Sequence, residues 1–93
     1  MDVEIYGIPP HLYRCWGCTQ AVKLLDREGI EYTFHAVLVP SDNDLGFAYD
    51  RPAIQQLADR IGVRSLAFQY PKIFVDGKLI GGYSDLENFI DNR

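Results

Sequence analysis

Lys72-Ile73-Phe74-Val75-Asp76-Gly77-Lys78-Leu79-Ile80-Gly81-Gly82-Tyr83-Ser84-Asp85-Leu86-Glu87 is the stretch on which the reading of the fold turns. Asp76-Gly77 stands between two apolar runs, and Asp-Gly is a strong signal for a two-residue hairpin, since both turn positions need a positive φ. It predicts antiparallel strands over Lys72–Val75 and Lys78–Ile80, with Gly81-Gly82 ending the second. Ser84-Asp85-Leu86-Glu87 has the capping-box spacing. It predicts Ser84 as the N-cap of a last helix that turns Leu86, Phe89 and Ile90 inward.

Upstream, Val3–Gly7 alternates apolar and polar residues and predicts a strand. Ile8-Pro9-Pro10-His11 breaks it into a loop. A helix is expected from Cys15 or Trp16 to Glu28, with Cys18, Ala21, Val22 and Leu25 on its buried face and Gly29 as its stop. Glu31–Val37 predicts a second strand with Tyr32 and Phe34 on one face. Leu38 to Arg51 is a long connection rich in loop formers, part of it held down by Leu45, Phe47 and Tyr49. Pro52 opens a helix to about Ile61, with Ile54, Leu57, Ala58 and Ile61 inward and Gly62 at its end. The expected order is β-α-β-α-β-β-α. The first β-α-β unit should be parallel and right-handed. An α/β fold follows, a four-stranded mixed sheet flanked by three helices, in a single domain spanning 1–93.

The chain has 93 residues, 47% of them hydrophobic and 24% charged, ordinary for a globular protein. A net charge of −4 argues against nucleic acid, whose phosphates need clustered Lys and Arg, and against an anionic membrane surface. No apolar run approaches the ~20 residues of a membrane span. Met1-Asp2-Val3-Glu4 is acidic where a secretory signal would be basic, so the cytoplasm is the expected location.

Cys15 and Cys18 are the two cysteines. A bridge between them closes too small a loop to stabilise the fold much. A thiol attacks a disulfide as thiolate. Cys15 falls at the predicted helix N-terminus, where free N–H groups and the helix dipole favour an anion, and such cysteines commonly have a pKa of roughly 3.5–7.5. Arg14 adds a nearby cation. Cys18 lies one turn further, on the buried face, within reach of the Cys15 sulfur. Geometry therefore suggests that Cys15 attacks and Cys18 resolves. Two other readings remain open from these residues. Half a zinc site would need two more ligands, and the histidines are only His11 and His35. Incidental core cysteines would need no partner.

Cys15-Trp16-Gly17-Cys18, Tyr70-Pro71 before the hairpin, and Ile80-Gly81-Gly82-Tyr83-Ser84-Asp85-Leu86 together resemble the glutaredoxins, most closely those encoded by phages. The resemblance implies the thioredoxin-like (glutaredoxin) fold and an enzyme that reduces disulfides with glutathione as co-substrate, without a metal. It implies a cis peptide before Pro71, which presents the Tyr70 backbone to substrate, and a glutathione contact at Ser84 and Asp85. Implied partners are disulfide-containing proteins, in the family including ribonucleotide reductase, met by a monomer in the cytoplasm (the host's, for a phage protein). Two alternatives accompany it: a thioredoxin-like reductant recycled by a thioredoxin reductase, and an iron–sulfur cluster carrier. The chain departs from the family pattern in three places. Trp16-Gly17 replaces Pro-Tyr, and Gly17 should loosen the first helical turn by up to ~1 kcal/mol relative to Ala. Gln69-Tyr70-Pro71 replaces Thr-Val-Pro. Leu12 replaces a lysine, leaving Arg14, His11 or Arg64 to meet a glycyl carboxylate.

Overall fold

In a computed structural model describing residues 1–93, the elements run β1 (Val3–Gly7), α1 (Trp16–Arg27), β2 (Tyr32–Ala36), β3 (Leu38–Pro40), β4 (Phe47–Tyr49), α2 (Arg51–Ile61), β5 (Lys72–Val75), β6 (Lys78–Gly81) and α3 (Tyr83–Asp91). Strands β2-β1-β5-β6 form a four-stranded sheet in that order. β1 runs parallel to β2, with Ile5 opposite Phe34, and antiparallel to β5, with Ile5 opposite Ile73. β6 returns from β5 through Asp76-Gly77, which adopt φ of 51° and 82° as the hairpin signal requires. The fold is the expected mixed α/β sheet with three helices.

Strand alternation sorts the core into two layers. Val3 and Ile5 of β1 and Ile73 and Val75 of β5 point to one face, where Ala21, Leu24 and Leu25 of α1 and Leu86 and Ile90 of α3 cover them. Tyr6 and Phe74 point to the other face, against Ile54 and Leu57 of α2. The expected face of α1 holds with one exchange: Leu24 is buried and Val22 only partly so. Both α1 and α3 therefore stand on one side of the sheet, with α2 on the other. No helix is long and apolar enough to cross a membrane.

The Leu38 to Arg51 connection is more ordered than expected. β3 and β4 pair antiparallel, Leu38 with Tyr49 and Pro40 with Phe47, as a separate two-stranded sheet. Its turn is held by Asn43, which donates from Nδ2 to the Phe47 carbonyl at 2.8 Å and accepts the Gly46 N–H at 2.9 Å. Strands of three residues, one ending in proline, are too short to show a period of two. Leu45 and Tyr49 are exposed, contrary to the expectation that they pack down, whereas Phe47 is half-buried. The hairpin feeds Asp50, the N-cap of α2, whose carboxylate accepts the Ala53 N–H at 3.1 Å.

On the α2 face, Arg60 donates to both carboxylate oxygens of Glu4 at 2.9 Å and to the Tyr6 hydroxyl at 3.1 Å. Its guanidinium also lies 3.9 Å from the centre of the Phe74 ring. Hydrogen bonding from Arg60 is the main reason the Glu4 carboxyl sits below the usual carboxylate range. His35 contacts Glu4 at 3.0 Å and stacks on Tyr6 with ring centres 4.5 Å apart. This network joins β1, β2 and α2.

Candidate active site

Cys15 is the N-cap of α1, in extended backbone conformation. The loop after β1 delivers it there, and the helix starts at Trp16. Cys15 and Cys18 are joined in a disulfide, with Cα atoms 5.3 Å apart. Their surroundings differ. Cys15 is half-buried and its sulfur accepts the Cys18 N–H at 3.3 Å. Cys18 is fully enclosed, and its sulfur accepts the Ile8 N–H at 3.4 Å.

The Tyr70–Pro71 peptide is cis, as expected. The Tyr70 carbonyl oxygen lies 3.7 Å from Cys15 Sγ, and Pro71 is buried beneath the start of α1. Gly17 makes this approach possible. A Cβ at Gly17 would stand 2.9 Å from Pro71 Cδ and 3.8 Å from Tyr83 Cβ. Motif spacing suggested only a loosened helical turn at this position, whereas the structure shows a lack of room. Gly7 is similarly confined: a Cβ there would meet Cys18 Sγ at 3.2 Å.

The start of α3 closes the third side. Gly82 lies against the Pro71 carbonyl, and Tyr83 meets Trp16 edge-to-face with ring centres 5.4 Å apart. Trp16 is 67% exposed, so it walls the site rather than covering the core. Burial is the leading cause that pushes the Tyr83 phenol up, ahead of the hydrogen bond to Glu87.

An uncharacterized 11.8 kDa protein of Enterobacteria phage T4, from the Gp55-nrdG intergenic region, is 43% identical to this chain over 74 residues, covering 80% of this chain and 70% of the phage protein. The dithiolic glutaredoxin 2-C-Grx1 of Trypanosoma brucei brucei superposes with a TM-score of 0.60 at 28% identity, over 97% of this chain and 77% of that one. A buckwheat glutaredoxin–glutathione complex superposes with a TM-score of 0.59 at 22% identity, over 97% of this chain and 69% of that one. No family model matches the sequence. The chain is a relative of the phage T4 protein and has the fold of the glutaredoxins. The Cys15–Cys18 disulfide gives this glutaredoxin-like fold a dithiol redox pair.

Within this glutaredoxin fold, Cys15, Cys18, Tyr70 and Pro71 meet in one place, and α3 starts beside them with Ser84 and Asp85 in its first turn. The cap of α3 differs from expectation. Gly82 is the N-cap and has no side chain to cap with, while Asp85, at the third helical position, accepts the Gly82 N–H at 2.9 Å. Ser84 is therefore inside the first turn, exposed, rather than at the cap. The turn closes around Gly82 because Asp85 lies three residues after it.

His11 and Arg14 line a shallow depression of about 410 Å³ beside Cys15 and Trp16. Arg64 is exposed and borders no part of this depression. Leu12, at the position of the family lysine, packs against the core layer under α2. The sequence reading missed two backbone contributors, the Ile8 N–H at Cys18 and the close approach at Gly17. The glycine was visible within the motif, but the proline it faces lies 54 positions away, a pairing that only the folded sheet creates.

Proposed function

We propose that this chain reduces protein disulfides, or mixed disulfides with glutathione, using glutathione as electron donor. The observation that carries this reading is the unequal enclosure of the pair: a half-exposed Cys15 at a helix N-terminus and a fully enclosed Cys18. In the reduced protein, the N–H of Cys18 and the start of α1 favour a thiolate on Cys15. That thiolate attacks one sulfur of the substrate disulfide. A Cys15–substrate disulfide forms, and the other substrate sulfur leaves as thiolate. Cys18, deprotonated, then attacks Cys15 Sγ, restores the Cys15–Cys18 bond and releases the second substrate thiolate. Two electrons pass to the substrate. Two glutathione molecules return them and leave as glutathione disulfide.

The Tyr70 backbone offers a substrate strand hydrogen-bonding groups beside the sulfur. Ser84, Asp85 and the uncapped N–H groups of α3 suit the charged end of glutathione, and the buckwheat relative is known in complex with that tripeptide. Protein partners of the ribonucleotide reductase kind, action in the cytoplasm as a monomer, and a single domain over 1–93 belong to the same proposal. Apolar Leu12 in place of a lysine favours testing a second donor, thioredoxin reductase.

The donor test couples the protein to glutathione, glutathione reductase and NADPH with a small mixed disulfide as substrate. Turnover is expected with wild type and with Cys18→Ser, but not with Cys15→Ser. On a protein disulfide, Cys18→Ser should instead accumulate a covalent complex through Cys15. Turnover supported by thioredoxin reductase and not by glutathione would replace glutathione as the donor. A trapped complex formed through Cys18 by Cys15→Ser would reverse the two roles.

A further inference from the structure

Cys18 is fully enclosed, yet it must become an anion to resolve the Cys15–substrate disulfide. Burial in apolar surroundings raises a thiol's pKa and leaves little thiolate for that step. A basic side chain would be one remedy, but no charged residue is buried. Glu4, Tyr6 and His35 are joined to Arg60 on the α2 face of the sheet, and Lys72, paired opposite Tyr6, shares that face. Tyr32 lies at the other end of β2, opposite Val3. The charged residues of α1 and α3, with His11 and Arg14 in the loop before α1, are exposed. Cys15 is thus the titratable neighbour of Cys18.

What the Cys18 sulfur does receive is the Ile8 N–H at 3.4 Å. That donor is aimed before any reaction begins. The Gly7 carbonyl, in the same trans peptide unit, accepts the Val37 N–H at 2.9 Å. A trans peptide is planar with its C=O and N–H opposed, so anchoring the carbonyl at the end of β2 turns the N–H toward Cys18. Gly7 supplies the clearance: a Cβ there would meet Cys18 Sγ at 3.2 Å and the Phe34 ring at 3.1 Å.

We propose that the Ile8 N–H stabilises the Cys18 thiolate and so sets the pH at which Cys18 resolves, with Gly7 as the positioning residue that lets the sulfur reach it. The inference rests on the dithiol reading of Cys15 and Cys18. A thiol or disulfide sulfur is a weak acceptor and a thiolate a strong one, so this bond strengthens as charge appears on Cys18. In the Cys15–substrate disulfide, the Cys18 thiol gives its proton to hydroxide, and the thiolate attacks Cys15 Sγ. The Cys15–Cys18 bond forms as the bond from Cys15 to the substrate sulfur breaks, and the substrate leaves as thiolate with that electron pair. A donor held by the sheet needs no reorganisation at this moment.

The test replaces the Gly7–Ile8 amide by an ester, which removes the N–H and keeps the Ile8 side chain. Cys15 permits the synthesis: a Met1–Arg14 thioester ligates to Cys15–Arg93, and the all-amide chain made in the same way is the reference. The reduced chains, freed of reductant, are mixed with dithiobis(nitrobenzoate), which releases one coloured thiolate when Cys15 attacks and a second when Cys18 resolves. The first release should match the reference. The second should titrate at a pKa about one unit higher, the lower end for loss of a hydrogen bond to a charged group. Nucleophilicity rises with pKa at a Brønsted slope of ~0.4–0.5, so the second rate should fall about threefold below that pKa and rise about threefold above it. Distortion of the site alone would slow the step at every pH and give no such crossing. Gly7→Ala, by displacing Sγ from the amide, should cross in the same sense, and the ester decides if that variant fails to fold. Superimposed profiles for ester and reference would overturn the proposal, as would an ester that slows both releases at every pH. A reference chain that releases no second thiolate would overturn the dithiol reading itself, and this inference with it.

Discussion

Gly17→Ala is a one-methyl perturbation whose effects on stability and on activity should diverge. The added Cβ would meet Pro71 Cδ at 2.9 Å. Carbon atoms prefer separations of about 3.5–4.0 Å, so relief needs a shift of up to about 1 Å. The Pro71 ring is rigid, buried and directly followed by β5, an inner strand held by β1 and β6, so it cannot retreat into the sheet. Either the first turn of α1 tilts, carrying Cys15, or Tyr70 and Pro71 move outward, carrying the carbonyl now 3.7 Å from Cys15 Sγ. Overpacking of this size costs about 1–3 kcal/mol. Replacing glycine by alanine within a helix returns up to about 1 kcal/mol. The net expectation is a loss between about 0 and 3 kcal/mol, visible in urea unfolding as a lower midpoint at unchanged slope. Activity should fall further, since a misplacement of about 1 Å at reacting groups can cost on the order of a hundredfold. Single-turnover reduction of a small disulfide, run beside the unfolding series, measures both. A variant more stable by the full propensity gain, with unaltered rate, would refute the close approach of α1 to Pro71.

Two further outcomes follow from the charged groups. Arg60 holds the Glu4 carboxyl below its usual range, so the pair stabilises the fold fully above the unfolded carboxylate pKa of about 4.3 and loses this contribution as pH falls through the lower folded value. Arg60→Met should cost roughly 2 kcal/mol at pH 7, less than a fully buried pair because the side chains keep 24% and 19% of their surface in water. The gap from wild type, followed by thermal unfolding, should narrow below about pH 4; a pH-independent gap would refute the ion pair as its origin. Asp85→Asn keeps an acceptor for the Gly82 N–H and removes a charge, so unfolding should be little changed while KM for glutathione rises several-fold, about the worth of one exposed charge contact. An unchanged KM would remove Asp85 from the proposed glutathione contact.

Short-range chemistry made most of the fold legible in the sequence. Asp76-Gly77 specified its hairpin because only certain residues adopt positive φ at both turn positions. Alternation in β1 and the spacing of three and four in α1 and α2 revealed which faces are buried, because side-chain direction follows from backbone period. Cys15-Trp16-Gly17-Cys18 revealed the redox pair, since that spacing is one helical turn. The β3–β4 hairpin escaped this logic: three-residue strands carry no readable period, and their order depends on Asn43 and on the seat above α2.

What the sequence by itself determined is therefore the reactive pair and the elements that carry it, both set within a few residues of chain. Tertiary structure alone decided the surroundings of that pair. Gly17 against Pro71, Ile8 against Cys18, and Glu4 with Arg60 all join positions far apart in the chain. The physical reason is that a local pattern fixes backbone direction and burial, whereas clearance, hydrogen-bond partners and open surface exist only once the sheet has set the separate segments side by side.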